Sequence, residues 1–538
     1  MKEAFRSSVK ILILVMIFVG FSGCSSKPET YNVVWITLDT TRADYVDTGG
    51  EEGSRAFTPE LKRFAMNSIV FEQAFCSIPQ TLPSHLSMFT SCYPTEFGVL
   101  SNEHKFNGNH KTITQVFKEK GYYTAGITSL GTLASSTGFS KGFDLFLEDL
   151  REKYVFFAPA EKVTDEGLKV LNSTGGKPFF LFLHYSDPHT PYAPPSEKSN
   201  FKILLDGKEV STFNAYFGAL LRLEIPFTPG KHTVEFQIEK KPEDFNFCIL
   251  RRLTFSPGCT AQYTGLEFSK EHYNGSYLMK NTGGKIIVNS KGNGMMNLFQ
   301  VIPVLNRNVC VENYRKEVEY MDGHVGRFLR ALEKKELLKN TIVVIEADHG
   351  EGLGERERYF GHVGYLNSQF IHVPLIIHFP GEEARRISSP VSLGWISPAL
   401  LQYMNITDPA FKDKKSLLPF IRDPETAPKN TPIYSYVFRP SALEDRFSVI
   451  NWPYQAIYNN DVRSPEPEME LYSLTISQAF RKLDVYAPEV LMKVNPDCFR
   501  FFQQSLADAK KLFLGRANIS TQENKKEIDK LKSLGYLQ

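Results

Sequence analysis

At 538 residues the chain is about three and a half times the ~150 residues of a typical domain, so one large core with at least one accessory unit is expected. Its 62 Lys and Arg against 60 Asp and Glu leave a net charge of +2, which excludes a nucleic-acid binder built on a basic face. A hydrophobic content of 42% excludes a globally disordered chain.

The N-terminus departs from this average. Lys2, Arg6 and Lys10 precede the apolar run Ile11 to Val19, which meets Phe21-Ser22-Gly23-Cys24. The run is shorter than the ~20 residues that span a bilayer, and small residues before a lone Cys suit cleavage followed by acylation. Residues 1–23 therefore read as a signal peptide, Cys24 as the lipidated residue and 24–30 as a tether; an uncleaved N-terminal anchor is the alternative. The segment resembles a bacterial lipoprotein signal, with Phe21 where Leu is usual. The resemblance implies an exported protein held at a membrane by its lipid, on the periplasmic or cell-surface face, with the outer membrane favoured because Ser25 offers no Asp-type retention signal.

From 31 to 199, buried strands alternate with helical patterns. Val33-Val34-Trp35-Ile36-Thr37-Leu38 and Phe179-Phe180-Leu181-Phe182-Leu183 are too continuously apolar for half-exposed strands, and segments 112–120 and 160–172 lie between them as helices. From 200 to 309 the period becomes two. Leu221, Leu223 and Ile225, then Val234, Phe236 and Ile238, alternate with polar residues around Thr228-Pro229-Gly230-Lys231, which predicts an inserted β-sandwich-like module. Its aromatic residues Tyr216, Phe217 and Tyr273 read as core more readily than as carbohydrate platforms.

Helical spacing resumes at Tyr314, with Val318, Met321, Val325, Phe328, Leu329 and Leu332 on one face, and the strand Ile342-Val343-Val344-Ile345 runs into Asp348-His349-Gly350. Segment 310–429 thus continues the α/β unit. Alternating helices and buried strands predict a mainly parallel sheet flanked by helices, with the module inserted into it. The tail, 430–538, reads as a small C-terminal α+β unit whose Ser435, Tyr436 and Arg439 are candidates to border the cleft. Cys76, Cys92, Cys248, Cys259, Cys310 and Cys498 show no zinc spacing; pairs 76–92 and 248–259 are open alternatives to scattered buried thiols.

In such a sheet ligands sit beyond the carboxyl ends of the strands. Three strand ends deliver polar residues there: Asp39; His184, Asp187 and His189; and Asp348 with His349. Two carboxylates with an imidazole suit a divalent cation that accepts oxygen and nitrogen donors. Gln80-Thr81-Leu82-Pro83-Ser84-His85 supplies a hydroxyl before a helix, and a cation on the threonine oxygen would lower its pKa enough for attack at neutral pH.

Taken together, Asn32 to Asp44 (NVVWITLDTTRAD), Thr81-Leu82-Pro83-Ser84-His85, His184 to Tyr192 (HYSDPHTPY), Asp348-His349-Gly350-Glu351 and Leu534-Gly535-Tyr536-Leu537 resemble the sulfatase family of the alkaline phosphatase superfamily. The resemblance implies an alkaline-phosphatase/sulfatase-like fold and one divalent metal held by Asp39, Thr81, Asp348 and His349, with Thr81 also the nucleophile. It places His189 and His362 (Gly361-His362-Val363) against the transferred anion or the leaving group, and makes Arg42 and Asp187 either substrate contacts or supports behind the residues that bind; His85 is a further candidate substrate contact.

Departures from the family pattern shape the expected chemistry. Sulfatases carry Cys or Ser, converted to formylglycine, where Thr81 stands, and Arg where His85 stands. Thr40 replaces the second Asp of an Asp-Asp pair, His349 stands where Asn is frequent, and the Lys and His expected near 127–137 are missing. Threonine cannot form the aldehyde hydrate, but it does serve as nucleophile in related phosphodiesterases and phosphoglycerol or phosphoethanolamine transferases. The expected function is therefore a hydrolase or transferase of phosphoesters, with manganese or zinc ahead of calcium. Its substrate is expected to be a phosphorylated or sulfated glycan, lipid or small-molecule ester. A sulfuric ester hydrolase working without formylglycine and an inert surface glycan-binding lipoprotein are the alternatives.

Overall fold

The computed structural model describes residues 30–50, 53–150, 157–190, 192, 194, 200–214, 219–239, 245–269, 276–280, 282–355, 360–423, 431–439, 444–461, 468–474, 485–486, 500, 502, 504–505 and 507–509. The signal segment, Cys24, Cys498, Tyr216, Phe217, Tyr273 and the terminal Leu534-Gly535-Tyr536-Leu537 lie outside them. Among the described residues no helix is long and apolar enough to cross a membrane.

The apolar runs become the centre of an eight-stranded sheet. Its strands are β1 (Asn32–Leu38), β2 (Ile69–Phe71), β3 (Tyr123–Thr128), β4 (Leu145–Leu147), β5 (Phe179–Tyr185), β6 (Thr341–Glu346), β7 (Leu375–His378) and β8 (Arg385–Ile387), in the order β8-β2-β7-β6-β1-β5-β3-β4. β1 lies parallel between β6 and β5, and β3 and β4 continue in the same direction. β7 alone runs against its neighbours. Every residue of β1, β5 and β6 is buried, as expected for strands covered on both faces.

Helices α1 (Thr81–Thr90), α2 (Ala160–Ser173) and α3 (Arg307–Lys334) supply the cover. Successive strand residues point to opposite faces. Phe182 of β5 meets Phe89 of α1 at 5.3 Å between ring centroids, whereas its neighbour Leu183 meets Gly167 of α2 and Phe328 of α3 is close by. α1 therefore lies on one face and α2 with α3 on the other. α3 begins at Arg307, earlier than the apolar periodicity shows, because the Asn306 side chain accepts the Asn308 amide at 3.0 Å and caps it.

Between Asn200 and Leu305 all strand pairings are antiparallel, in a five-stranded and a six-stranded sheet. Phe201, Ile203, Phe236, Ile286, Val288, Met296 and Leu298 form a core distinct from that of the main sheet. The C-terminal unit is a five-stranded antiparallel sheet from Ile433 to Tyr486.

Ser435 Oγ donates to the Cys76 carbonyl at 2.7 Å and the Tyr436 amide to that of Ser77 at 2.8 Å, which docks the C-terminal sheet on the segment before α1; the Arg439 side chain is outside the description. One expectation is corrected here. Cys76, Cys92, Cys248, Cys259 and Cys310 are free thiols, which removes both disulfide alternatives.

Candidate active site

Thr37 of β1 stands beside His184 of β5 and Glu346 of β6 in the ladders, so the residues that follow each strand leave the sheet at one edge. There Asp39, Asp348 and His349, all fully buried, bring one ligand atom each to within 4.8 Å of one another. The turn after Asp39 is strained: Thr40 has φ 58°, a left-handed backbone rare for a β-branched residue. Tyr314 of α3 clamps it, its hydroxyl donating to the Thr40 carbonyl at 2.8 Å and accepting the Arg42 amide at 3.0 Å. Gly350 has an equally local reason, since a Cβ there would lie 2.1 Å from the Gln369 carbonyl oxygen.

Thr81 is the first residue of α1, a helix buried on every side. Its Oγ1 lies 3.5 Å from His349 Nε2. Ser84 Oγ donates to the Asp348 carbonyl at 2.7 Å, tying the first turn of α1 to the end of β6. The positive end of α1 therefore meets the carboxylates at the sheet edge, a placement suited to an anion.

The donor set fits a divalent cation. Burial, then the charge of Asp348, raises the pKa of Asp39 well above the carboxylate range; burial, then Glu346, does the same for Asp348. Asp39 Oδ1 and Asp348 Oδ2 have no hydrogen-bond partner although both are buried. Two such oxygens side by side are costly without a counter-charge, which a cation supplies. The Nδ1–H of His349 donates to the Gly350 carbonyl at 3.0 Å, leaving the Nε2 lone pair 3.7 Å from Asp39 Oδ1 and 3.4 Å from Asp348 Oδ2. That is the tautomer a metal-ligating imidazole adopts.

His189 and His362 lie beside this cluster, the His362 ring 4.2 Å from that of His349 and 5.3 Å from that of His189. Burial opposes a charge on His362, but the Glu351 carboxylate, 2.9 Å from Nδ1, outweighs it and raises the pKa. Glu351 also accepts the Tyr192 hydroxyl at 2.6 Å. His189 Nδ1–H donates to the Thr190 carbonyl at 2.6 Å, and burial lowers its pKa to about 3.

Arg42, His85 and Asp187 are buried, and each is bonded within the protein. The Arg42 guanidinium forks onto Asp44 with two contacts of 2.8 Å and also pairs with Glu355, holding the loop after β1. His85 is fully buried, with Nδ1 donating to the Thr81 carbonyl at 2.7 Å, Nε2 3.2 Å from Thr37 Oγ1 and its ring against Phe139 and Phe182. Asp187 accepts the Ala160 amide at 2.9 Å where α2 begins, and burial raises its pKa to about 7.

Glu351, Tyr192 and Glu346 are the contributors that motif reading left without a role. Glu351 stood inside a quoted motif, but nothing in spacing pairs it with a histidine eleven positions away. Glu346, its pKa raised by burial to about 8, accepts Trp35 Nε1–H at 3.0 Å and bonds to Thr37, beneath the carboxylates.

A sheet with one reversed strand, carrying two aspartates, a histidine and a hydroxyl-bearing helix N-terminus at one edge, defines a metal-dependent hydrolase of the alkaline phosphatase superfamily. The sulfatase family model matches residues 31–406, and the chain belongs to that family. It is 22% identical over 513 residues to an N-acetylglucosamine-6-O-sulfatase of Bacteroides thetaiotaomicron, covering 87% of this chain and 86% of the relative. It is 25% identical to arylsulfatase K of Rattus norvegicus, over 76% of this chain and 68% of the relative. Among solved structures, a protein in complex with its substrate D-glucosamine-2-N,6-O-disulfate superimposes with a TM-score of 0.60 at 16% identity, over 91% of this chain and all of that one. The phosphonate monoester hydrolase of Agrobacterium radiobacter gives 0.58 at 13% identity, over 90% and 96%. These likenesses confirm the fold.

Proposed function

We propose that this sulfatase-family hydrolase acts on phosphoesters, with Thr81 as nucleophile and one divalent cation held by Asp39, Thr81, Asp348 and His349. The observation that carries this reading is a threonine, which cannot become formylglycine, standing 3.5 Å from the Nε2 of His349 at the start of α1. A cation bound there supplies the positive charge that lets an alcohol ionise near neutral pH. Thr81 Oγ1 attacks phosphorus in line with the ester oxygen, that P–O bond breaks, and a phosphothreonine forms. His362, paired with Glu351, and His189 flank the transferred anion; one of them passes a proton to the departing alcohol. Water or a second alcohol then attacks the phosphothreonine and regenerates the threonine. A nitrogen donor in the set favours manganese or zinc over calcium.

The second reading, sulfate-ester hydrolysis, is favoured by the relatives, which are largely sulfatases of sulfated sugars. On either reading the substrate is an anionic ester of a glycan, lipid or smaller molecule, met outside the cytoplasm by a protein tethered through Cys24. The deciding measurement is turnover of 4-nitrophenyl sulfate, 4-nitrophenyl phosphate, bis(4-nitrophenyl) phosphate and a phosphonate monoester, each with added manganese, zinc or calcium. The phosphorus esters should turn over faster; a strong preference for the sulfate would overturn the phosphoester reading. Membrane tethering is tested by Cys24→Ser, which should release the protein from the membrane fraction.

A further inference from the structure

A cavity of about 250 Å³ opens beside α1, and its walls share no residue with the cluster around Asp39. Ser87, Ser91 and Cys92 bring to it the C-terminal end of α1, and Ser91 lies ~15 Å of helix beyond Thr81. Further walls come from Trp395, Lys414, Lys415 and Tyr434. The space falls just below the ~300 Å³ at which drug-sized pockets begin, so it suits a small ligand.

Two hydroxyls in its lining are left over. Ser77 is 4% exposed and Ser87 2%, and neither Oγ has a hydrogen-bond partner, whereas the neighbouring Ser91 Oγ donates to the Gly394 carbonyl at 2.6 Å. Buried polar groups are normally satisfied, so an unpaired pair on one cavity wall points to something that enters it. The two lysines are left over in the same sense. Lys414 Nζ reaches only the Cys92 sulfur, a weak acceptor, at 3.0 Å, and Lys415 Nζ stands 5.5 Å from the centroid of the Trp395 ring. Among the described residues neither ammonium is paired with a carboxylate. The acids of the lining are placed otherwise: Glu96 accepts the Tyr93 amide at 2.8 Å, and the Asp413 side chain is 86% exposed beside Lys412.

An ammonium only donates hydrogen bonds, and a serine hydroxyl donates readily. The cavity is therefore rich in donors and positive charge and short of acceptors. We propose that it is a second ligand site, separate from the cation cluster, for a small oxyanion: a sulfate or phosphate group, free or carried on a molecule no larger than one sugar ring. Lys414 and Lys415 supply charge-assisted hydrogen bonds, and the hydroxyls of Ser77 and Ser87 find the acceptors they lack. Because no active-site residue takes part, the site stands or falls independently of the phosphoester reading.

Isothermal titration calorimetry of the full-length protein with inorganic phosphate, inorganic sulfate, glucose 6-phosphate and glucose tests it. The cation cluster can take the same anions, so the readout is the equivalent of binding that Lys414→Met removes. Wild type should bind one equivalent more than Lys414→Met of at least one of the three anions, and Lys414→Arg, which keeps the charge, should retain it. Binding of the free ions alone assigns an inorganic anion; binding of glucose 6-phosphate alone assigns an esterified one. Ser87→Ala should weaken the same equivalent at least ~10-fold, and turnover of aryl esters by Lys414→Met should match wild type. Equal stoichiometry in wild type and Lys414→Met, or glucose bound as tightly as glucose 6-phosphate, overturns the proposal. Should Lys414→Met fail to fold, Ser87→Ala decides, and an unchanged affinity there overturns the site.

Discussion

A threonine hydroxyl at a helix start is ordinary until its surroundings are known. Thr81 Oγ1 is buried, and the lone-pair nitrogen of His349 lies 3.5 Å from it. Thr81→Ala should therefore lower turnover at least ~10³-fold while leaving the melting temperature within a few degrees, as assay and thermal denaturation would show. Activity that survives would remove Thr81 from the mechanism. Glu351→Gln keeps the shape of the Tyr192–Glu351–His362 chain but removes its negative charge, and kcat should fall by about 10²-fold with KM little changed. Strand ends and motif order both pointed to Asp39, Thr81, Asp348 and His349, which the fold brings together. The bonding of Arg42, His85 and Asp187 was not legible. Whether a charged group faces a substrate or a neighbouring carboxylate depends on partners far off in the chain, such as Glu355 for Arg42.

Among elements, α3 shows how a long amphipathic helix does two jobs. Its apolar stripe was plain in the sequence: Met321, Val325, Phe328 and Leu332 join the core of the main sheet, and Val318 packs with Tyr45, Tyr192 and Leu353. Asp322, on the same helix, is nearly fully buried and accepts the amides of Leu61 at 2.8 Å and Glu60 at 3.1 Å, capping the helix Pro59–Ala65. Burial outweighs these bonds and raises its pKa to about 6. The folded state thus holds this proton more tightly than the unfolded chain. The resulting stabilisation is complete below pH ~4 and is lost as pH rises through about 6. Asp322→Asn should flatten stability over that window, by about 3 kcal/mol at most, measured as denaturant midpoints at pH 4, 5, 6 and 7. Helix starts were less legible than stripes. Asn306 caps α3 eight residues before Tyr314, the first stripe position, because a cap needs only one side chain and one amide.

Across the whole molecule the chain separates two cores. The strands from Asn200 to Leu305 close on Phe201, Ile203, Phe236 and Met296, while the main sheet has its own apolar centre. Phe236→Ala should therefore destabilise the inserted strands by about 3–5 kcal/mol and speed amide exchange from Gly230 to Ser290. Protection of β1, β5 and β6 should stay unchanged; loss of it would show that the two cores fold as one.

Periodicity, motif order and residue type are local properties, so the sequence by itself determined the buried strands, the period-two insert, the family and which acids end the strands. Contacts made by folding are not local. Only the tertiary structure decided that Tyr314 clamps the turn at Thr40, that Glu351 serves His362, and that Ser87 and Lys414 line one cavity. The reason is physical: a buried polar atom must be paired or pay for desolvation, and which partner it finds is set by how the strands are ordered in the sheet.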